Sequence, residues 1–149
     1  MEHPKRIGDR STLAIMAALH QAGIPFYLPF GENTRCDLVA EIDGDLVKVQ
    51  CKSGRLVSGA VKFPTVSSYA HHPNPKVRHR DYVGEVDAFA VYCHETSGVY
   101  LVPIAEVPSH QCRLRVDAPR NNQWKRIRFA ADYEIGRIAI GEPRAPSGA

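Results

Sequence analysis

The chain has 149 residues, a mass of 16.5 kDa and a formal net charge of +3. Its composition, 44% hydrophobic and 23% charged, is close to the globular average and excludes a fully disordered chain, a collagen and a coiled-coil rod. No apolar run approaches the roughly 20 residues of a membrane helix, and no apolar segment follows the charged N-terminus. We therefore expect a cytoplasmic protein without a membrane segment, with one domain over 1–135 and a partly disordered tail over 136–149.

The charges are distributed unevenly along the chain. Residues 110–130 hold six Lys or Arg and one acid, and residues 71–80 hold three more cations and no acid. The acids gather earlier, between Glu32 and Asp45. Cations suit phosphates and carboxylates suit a metal ion, so this distribution is compatible with a protein that handles phosphodiesters. A solvated surface with ordinary charge patches explains the same distribution.

In chain order, the first predicted element is a helix over 11–22, which Gly23 ends. A short apolar stretch over 26–30 contains Pro29 and is at best an edge strand. Strands follow over 37–42 and 46–52, joined by a hairpin turn at Asp43-Gly44-Asp45. A second turn over 54–59 leads to a third strand over 60–66.

The second half of the chain begins with a polar segment, 67–83, that predicts a long surface loop. Strands are predicted over 88–92 and 99–102, followed by one helical turn over 104–107. A last strand over 112–116 and a short helix over 127–133 complete the series. The fold class is therefore α+β, a mixed sheet with helices packed on it.

The strand over 46–52 alternates apolar and polar residues, so Gln50 and Lys52 share one face. Folding back at Gly44 pairs Asp37 with a residue near position 51, which brings three polar side chains together. A carboxylate and an amide oxygen suit Mg²⁺, and a lysine beside them would stabilise the charge that develops in phosphodiester hydrolysis. The same residues also fit a turn cap and the solvent-facing side of a sheet.

Several segments resemble the PD-(D/E)XK nuclease superfamily, in the branch of group I intron-encoded homing endonucleases. The resemblance runs from about Gly8 to Ile135. Its main motifs are Gly31-Glu32-Asn33-Thr34-Arg35-Cys36-Asp37, Val49-Gln50-Cys51-Lys52-Ser53-Gly54-Arg55, Phe63-Pro64-Thr65, Tyr92-Cys93-His94-Glu95-Thr96 and Asn121-Asn122-Gln123-Trp124-Lys125.

The resemblance implies a restriction-endonuclease-like core of αβββαβ type and a DNA endonuclease that requires Mg²⁺, or Mn²⁺ in its place. It implies Asp37 and Gln50 as metal ligands and Lys52 as the catalytic lysine. Gln50 replaces the usual acid, which weakens metal binding. Thr12 stands where the superfamily usually has a glutamate on the first helix. Asp9, one helical turn earlier, could substitute as a ligand, or it could be a charge or cap at the N-terminus of the helix.

The expected partner is double-stranded DNA. Phosphate-binding residues are expected in the two basic segments: Lys76, Arg78, Arg80, Arg113, Arg115, Arg120, Lys125 and Arg126. Ser67 and Ser68, at the end of the third strand, would support the site. The resemblance implies a homo-oligomer, a dimer or a tetramer.

Two alternatives stay open on this evidence. A structure-specific nuclease, such as a Holliday-junction resolvase, would use the same core. A DNA-binding module that kept the fold without its catalysis would explain Thr12 and Gln50 equally well.

Overall fold

The computed structural model describes residues 3–31, 34–71, 74–81, 84–117 and 127–139, and within these it describes the backbone alone of 67–71, 74–81 and 139. The helices are α1 (Pro4–Gln21) and α2 (Ile135–Ala139), and short 3₁₀ helices cover Ile104–Glu106 and Ala130–Tyr133. The strands are β1 (Phe26–Tyr27), β2 (Leu38–Ile42), β3 (Asp45–Val57), β4 (Ala60–Pro64), β5 (Val66–His71), β6 (Asn74–Asp81), β7 (Ala88–Cys93), β8 (Gly98–Pro103) and β9 (Gln111–Arg115).

Strand β3 is the centre of a seven-stranded mixed sheet. Its first residues pair with β2, its middle residues pair in parallel with β7, and its last residues pair with β4. Strand β1 continues the sheet beyond β2, β8 lies beyond β7, and β9 lies beyond β4. The α+β prediction is confirmed.

The hairpin between β2 and β3 has the predicted turn. Asp43 and Gly44 both adopt positive φ angles, 53° and 83°, and Ile42 lies opposite Asp45. Two residues in the left-handed region make the tight turn whose twist matches the flanking strands, and Asp-Gly tolerates it well. This turn sets the register of the segment that carries Asp37, Gln50 and Lys52.

Two apolar layers hold the sheet. On one face, Ile15 and Leu19 of α1 pack against Leu38, Val49 and Ala90 of the sheet. On the other face, residues of β4, β7 and β9 form a second buried cluster, which contains Val61, Phe63, Phe89, Val91, Cys112 and Leu114. Because the two clusters alternate along each strand, the face on which a polar side chain lies follows from its position in the strand.

The α1 helix is longer than predicted. It begins at Pro4, and the His3 Nδ1 accepts a hydrogen bond from the Lys5 amide at 3.2 Å. The first turns are fully exposed and have no apolar periodicity, so the sequence pattern shows only the part of the helix that packs on the sheet.

Three other expectations are corrected. The predicted turn over 54–59 is the end of β3, which runs to Val57 and turns only at Ser58-Gly59. The predicted loop over 67–83 contains the hairpin β5–β6, in which Val66 lies opposite Asp81. Ladder hydrogen bonds join backbone groups, so this hairpin needs no apolar alternation to form. The predicted helix over 127–133 begins as extended backbone, because Phe129 bridges to Arg115, and helical structure starts at Ala130.

Gly54 lies where β3 passes from its pairing with β7 to its pairing with β4. A β-carbon on Gly54 would lie 2.8 Å from Val61 Cγ1 and 2.9 Å from Val91 Cγ1. These are side chains of the second buried cluster, so neither can move without opening the core. We expect Gly54→Ala to lower the free energy of unfolding by about 1–3 kcal/mol, measured by urea denaturation. Gly8→Ala, where a β-carbon meets nothing within 4 Å, is the control, and equal stability of both variants would contradict this packing.

Among the described residues no helix is long and apolar enough to cross a membrane. The predicted tail lies outside the described residues from position 140 onward.

Candidate active site

Asp37 lies one residue before β2, and both its backbone and its side chain bind β3. Its amide donates to the Val49 carbonyl at 2.8 Å, and its Oδ2 accepts from the Cys51 amide at 2.8 Å. The β2–β3 ladder begins with Leu38 opposite Val49, so Asp37 lies just outside it and is bound to Val49 and Cys51, next to the predicted partner position near 51. The carboxylate is therefore held against the strand that carries the other two candidate residues.

Gln50 and Lys52 share one face of β3, and Asp37 is held at the edge of the same strand. Val49 points into the cluster beneath α1, so its neighbour Gln50 points to the opposite face. Lys52 follows by alternation, and its Nζ lies 5.8 Å from the centroid of the Phe89 ring. The side chains of Asp37, Gln50 and Lys52 are all half-buried. The structure thus puts the Asp37 carboxylate against the amide of Cys51, the residue between Gln50 and Lys52.

Three effects act on the pKa of the Asp37 carboxyl. Partial burial raises the pKa of the carboxyl above its usual value, while the Cys51 amide and the positive charge of Lys52 act to lower the pKa. Burial is the largest of the three effects. A buried carboxylate whose charge is incompletely compensated gains from a nearby cation, as a metal ligand does.

Cys51 stands between Gln50 and Lys52 but points the other way, toward α1. Burial raises the pKa of its thiol to about 12, and the nearby Asp37 charge also raises it. The thiol is therefore neutral at ordinary pH and does not serve as a nucleophile or as a thiolate ligand. What Cys51 contributes to the site is its backbone amide, a role that the residue type does not reveal and that only the register shows.

The first helix packs behind this strand. Ser11 Oγ lies 2.5 Å from Ser53 Oγ, and the Thr12 hydroxyl donates to the Gly8 carbonyl at 3.0 Å and interacts with the Cys51 thiol. Thr12 is thus part of the contact between α1 and β3. Its side chain supplies no charge at the position where the family resemblance predicts a glutamate.

Two other acids that could serve as ligands, Asp9 and Glu41, are separate from Asp37. Asp9 is exposed on the first turns of α1, the helix that packs on the far face of β3. Glu41 accepts a hydrogen bond from the Tyr27 hydroxyl at 2.6 Å and lies four residues along β2, about 13 Å from Asp37. In the described part of the chain, no three His, Cys, Asp or Glu side chains group closely enough to hold a metal ion.

The donors at the site nevertheless fit a hard divalent cation. Asp37 supplies a carboxylate and Gln50 an amide oxygen, both of which suit Mg²⁺. Mg²⁺ usually keeps several waters and takes one or two carboxylates together with substrate phosphate oxygens. One carboxylate among the described residues is therefore enough for a Mg²⁺ site of this kind.

The expected DNA-binding residues fall into three groups. Arg113 is exposed on β9, whereas Arg115 donates to the carbonyls of Asp117 and Ser58 at 3.2 and 3.1 Å and so holds the β3–β4 turn. Lys76, Arg78 and Arg80 lie on β6, and Ser67 and Ser68 lie on β5, not at the end of the third strand. Arg120, Lys125 and Arg126, with Trp124, lie outside the described residues.

Comparison with known proteins agrees with this fold. A family model described as PD-(D/E)XK endonuclease matches residues 2–136. The fold is similar to that of the bacterial homing endonuclease I-Ssp6803I, with a TM-score of 0.70, 22% sequence identity and coverage of 89% of this chain and 89% of that chain. No curated protein matched the sequence.

The fold is that of a PD-(D/E)XK nuclease. The chain belongs to the PD-(D/E)XK endonuclease family, because the family model matches nearly its whole length. Enzymes of this family generally use divalent metal ions.

Proposed function

We propose that this protein is a metal-dependent endonuclease that hydrolyses phosphodiester bonds in double-stranded DNA, in the manner of a homing endonuclease. The observation that supports the proposal is the position of the Asp37 carboxylate, which the Cys51 amide holds beside the strand that carries Gln50 and Lys52, with the Lys52 charge close enough to lower its pKa. Family membership and the likeness to a homing endonuclease fold support it.

In this proposal Asp37 and Gln50 hold the metal, Mg²⁺ or Mn²⁺. When bound, the ion neutralises charge on the phosphodiester and makes water a stronger nucleophile. Lys52 stabilises the negative charge that develops on the attacking oxygen and on the phosphoryl group, because its ammonium lies close enough to Asp37 to lower the pKa of that carboxyl. The Cys51 amide would hold the carboxylate in place for the metal.

A second candidate is a DNA-binding module without catalysis. It is favoured by Thr12, whose hydroxyl is bound to the Gly8 carbonyl, and by the absence of a three-residue acidic or histidine cluster among the described residues. Such a protein would bind DNA with a steep dependence on salt but take up no divalent metal.

Nicking of supercoiled plasmid tests the proposal. We expect the purified protein to convert supercoiled DNA to the nicked or linear form with Mg²⁺ or Mn²⁺ and to be inactive in EDTA. A crystal soaked in Mn²⁺ should show an anomalous peak at Asp37. If the protein binds DNA but neither cleaves plasmid nor shows the Mn²⁺ peak, it is the DNA-binding module without catalysis.

Two further measurements address the substrate and the assembly. Comparing four-way junctions with linear duplex separates a resolvase from a duplex endonuclease. Sedimentation of the free protein measures the dimer or tetramer that we propose by analogy with oligomeric homing enzymes. A monomer would leave too small a surface for a long recognition site.

A further inference from the structure

Three cations form a row across the outer face of β3, β4 and β9. Arg55 lies opposite Lys62 in the β3–β4 ladder, and Lys62 lies opposite Arg113 in the β4–β9 ladder. The residues that alternate with them, among them Val61 and Leu114, point into the second buried cluster. The three cations therefore share the face that points away from that cluster, and we call them the basic row.

The basic row is accessible to solvent. Arg55 and Arg113 are exposed and Lys62 is half-buried. Among the described residues none of the three forms an ion pair with a carboxylate. The other outward positions of β4 and β9 contain no acid either: Ala60, Pro64, Gln111 and Arg115.

The fold does not need this arrangement. Like charges directly opposite one another destabilise a sheet, and Lys62 has a cation opposite it on both sides. An acid at any of the three positions would form a cross-strand ion pair and relieve the repulsion. A polyanion bound across the three strands would relieve it in another way, by neutralising all three charges together.

We propose that the basic row binds the phosphate backbone of duplex DNA, at a surface separate from the Asp37 site. Neighbouring strands are about 4.8 Å apart, so the row spans about 10 Å. Duplex DNA carries one charge per ~1.7 Å of axis, so several phosphates face a row of this width. Arg55 lies on the same side of β3 as Ser53, which contacts α1, whereas Gln50 and Lys52 lie on the opposite side.

This inference rests on the proposed function, since it assumes that DNA is the substrate. The separation has a functional meaning: the row holds duplex outside the cleavage site, and extends the contact that one small subunit makes with its substrate. Arg115 is on the same face but is not included in the basic row, because its guanidinium donates to two backbone carbonyls.

The test measures binding to a fluorescent duplex by anisotropy in EDTA, over a series of KCl concentrations. We expect Arg55→Gln/Lys62→Gln/Arg113→Gln to bind about tenfold or more weakly than the natural protein at low salt. The slope of log K against log[KCl] should fall by roughly 2–3, because each phosphate contact contributes about 0.9. Each single variant should lower the slope by about 1.

The charge-matched control is Lys5→Gln/Arg6→Gln/Lys48→Gln, which removes three exposed cations from α1 and from the start of β3. A row variant that binds like the natural protein, or a control that loses as much affinity and slope, would overturn the inference. Thermal unfolding supplies an independent readout, since relief of repulsion should leave the row variant at least as stable as the natural protein.

The two proposals fail in different ways. If the natural protein binds duplex through the row but never nicks plasmid, the endonuclease proposal fails and the row stands. If the natural protein nicks plasmid but the row variant binds DNA with unchanged affinity, the proposal for the basic row is wrong and the endonuclease proposal is supported.

Discussion

Replacement of Lys52 by alanine is expected to reduce metal-dependent plasmid nicking by about 10²- to 10³-fold, to the level of the EDTA control. The Lys52 ammonium lies close enough to Asp37 to lower the pKa of that carboxyl, at the place where negative charge would develop during hydrolysis. Its Nζ lies 5.8 Å from the centroid of the Phe89 ring, which stays in the second buried cluster when the charge is removed, so the strand still packs. Initial rates of nicking, at a fixed concentration of Mg²⁺, measure the effect.

Lys48 offers a matched control for Lys52. It lies on the same strand and, by alternation, on the same face, but it is exposed and about 13 Å away. We expect Lys48→Ala to nick plasmid at the natural rate, and both variants to give the natural circular dichroism spectrum. If Lys52→Ala nicks plasmid at the natural rate, Lys52 has no catalytic role. If both variants lose the same fraction of the nicking rate, the effect comes from the general loss of positive charge.

Replacement of Asp37 by asparagine is expected to abolish metal-dependent cleavage and, at the same time, to stabilise the protein. Asparagine keeps an oxygen that can accept the Cys51 amide, so the hairpin contact survives. The variant loses the carboxylate that would hold the metal, and nicking should fall by about 10³-fold or more. Its melting temperature in EDTA at neutral pH should rise by several degrees, because a partly buried charge has been removed.

The pH dependence of this stabilisation has a definite sign. Burial raises the pKa of Asp37 in the folded protein above its value of 3.8 in the unfolded chain. Between the two values the folded state binds more protons, so the stability of the natural protein falls as pH rises through this window. The difference in melting temperature between Asp37→Asn and the natural protein should therefore be largest at neutral pH and vanish below about pH 3.8.

Two further measurements make the Asp37 prediction specific. Mn²⁺ should raise the melting temperature of the natural protein and leave that of Asp37→Asn unchanged, because only the carboxylate form binds the ion. Asp45→Asn, at an exposed position just after the hairpin turn, is the control and should change neither activity nor stability. A natural protein that Mn²⁺ does not stabilise would contradict the role of Asp37 as a ligand.

Local chemistry was enough to predict the hairpin and its polar face. Asp43-Gly44 specifies the tight turn, and strict alternation over β3 separates Gln50 and Lys52 from Val49 and Cys51. These signals depend only on neighbouring residues, which explains why they could be read without coordinates. The family resemblance then followed from motifs at the same hairpin, and the family match confirms it.

Other features depended on contacts between residues far apart in the chain. Continuation of β3 through Gly54 is decided by Val61 and Val91, against which only a residue without a side chain fits. The hairpin β5–β6 forms by backbone pairing in a segment whose polar, proline-containing sequence is typical of a loop. Neither outcome has a local signal, because the energy that selects it comes from the partner strand.

The sequence by itself determined the α+β class, the Asp-Gly hairpin and the identity of the three polar residues on it, since turn chemistry and alternation are local properties. Only the tertiary structure decided that the Cys51 amide holds Asp37, that Thr12 belongs to the helix contact, and that Arg55, Lys62 and Arg113 stand in one row. These facts depend on strand register and strand order, which bring together residues up to 58 positions apart (Arg55 and Arg113), and no periodicity in the chain encodes that pairing.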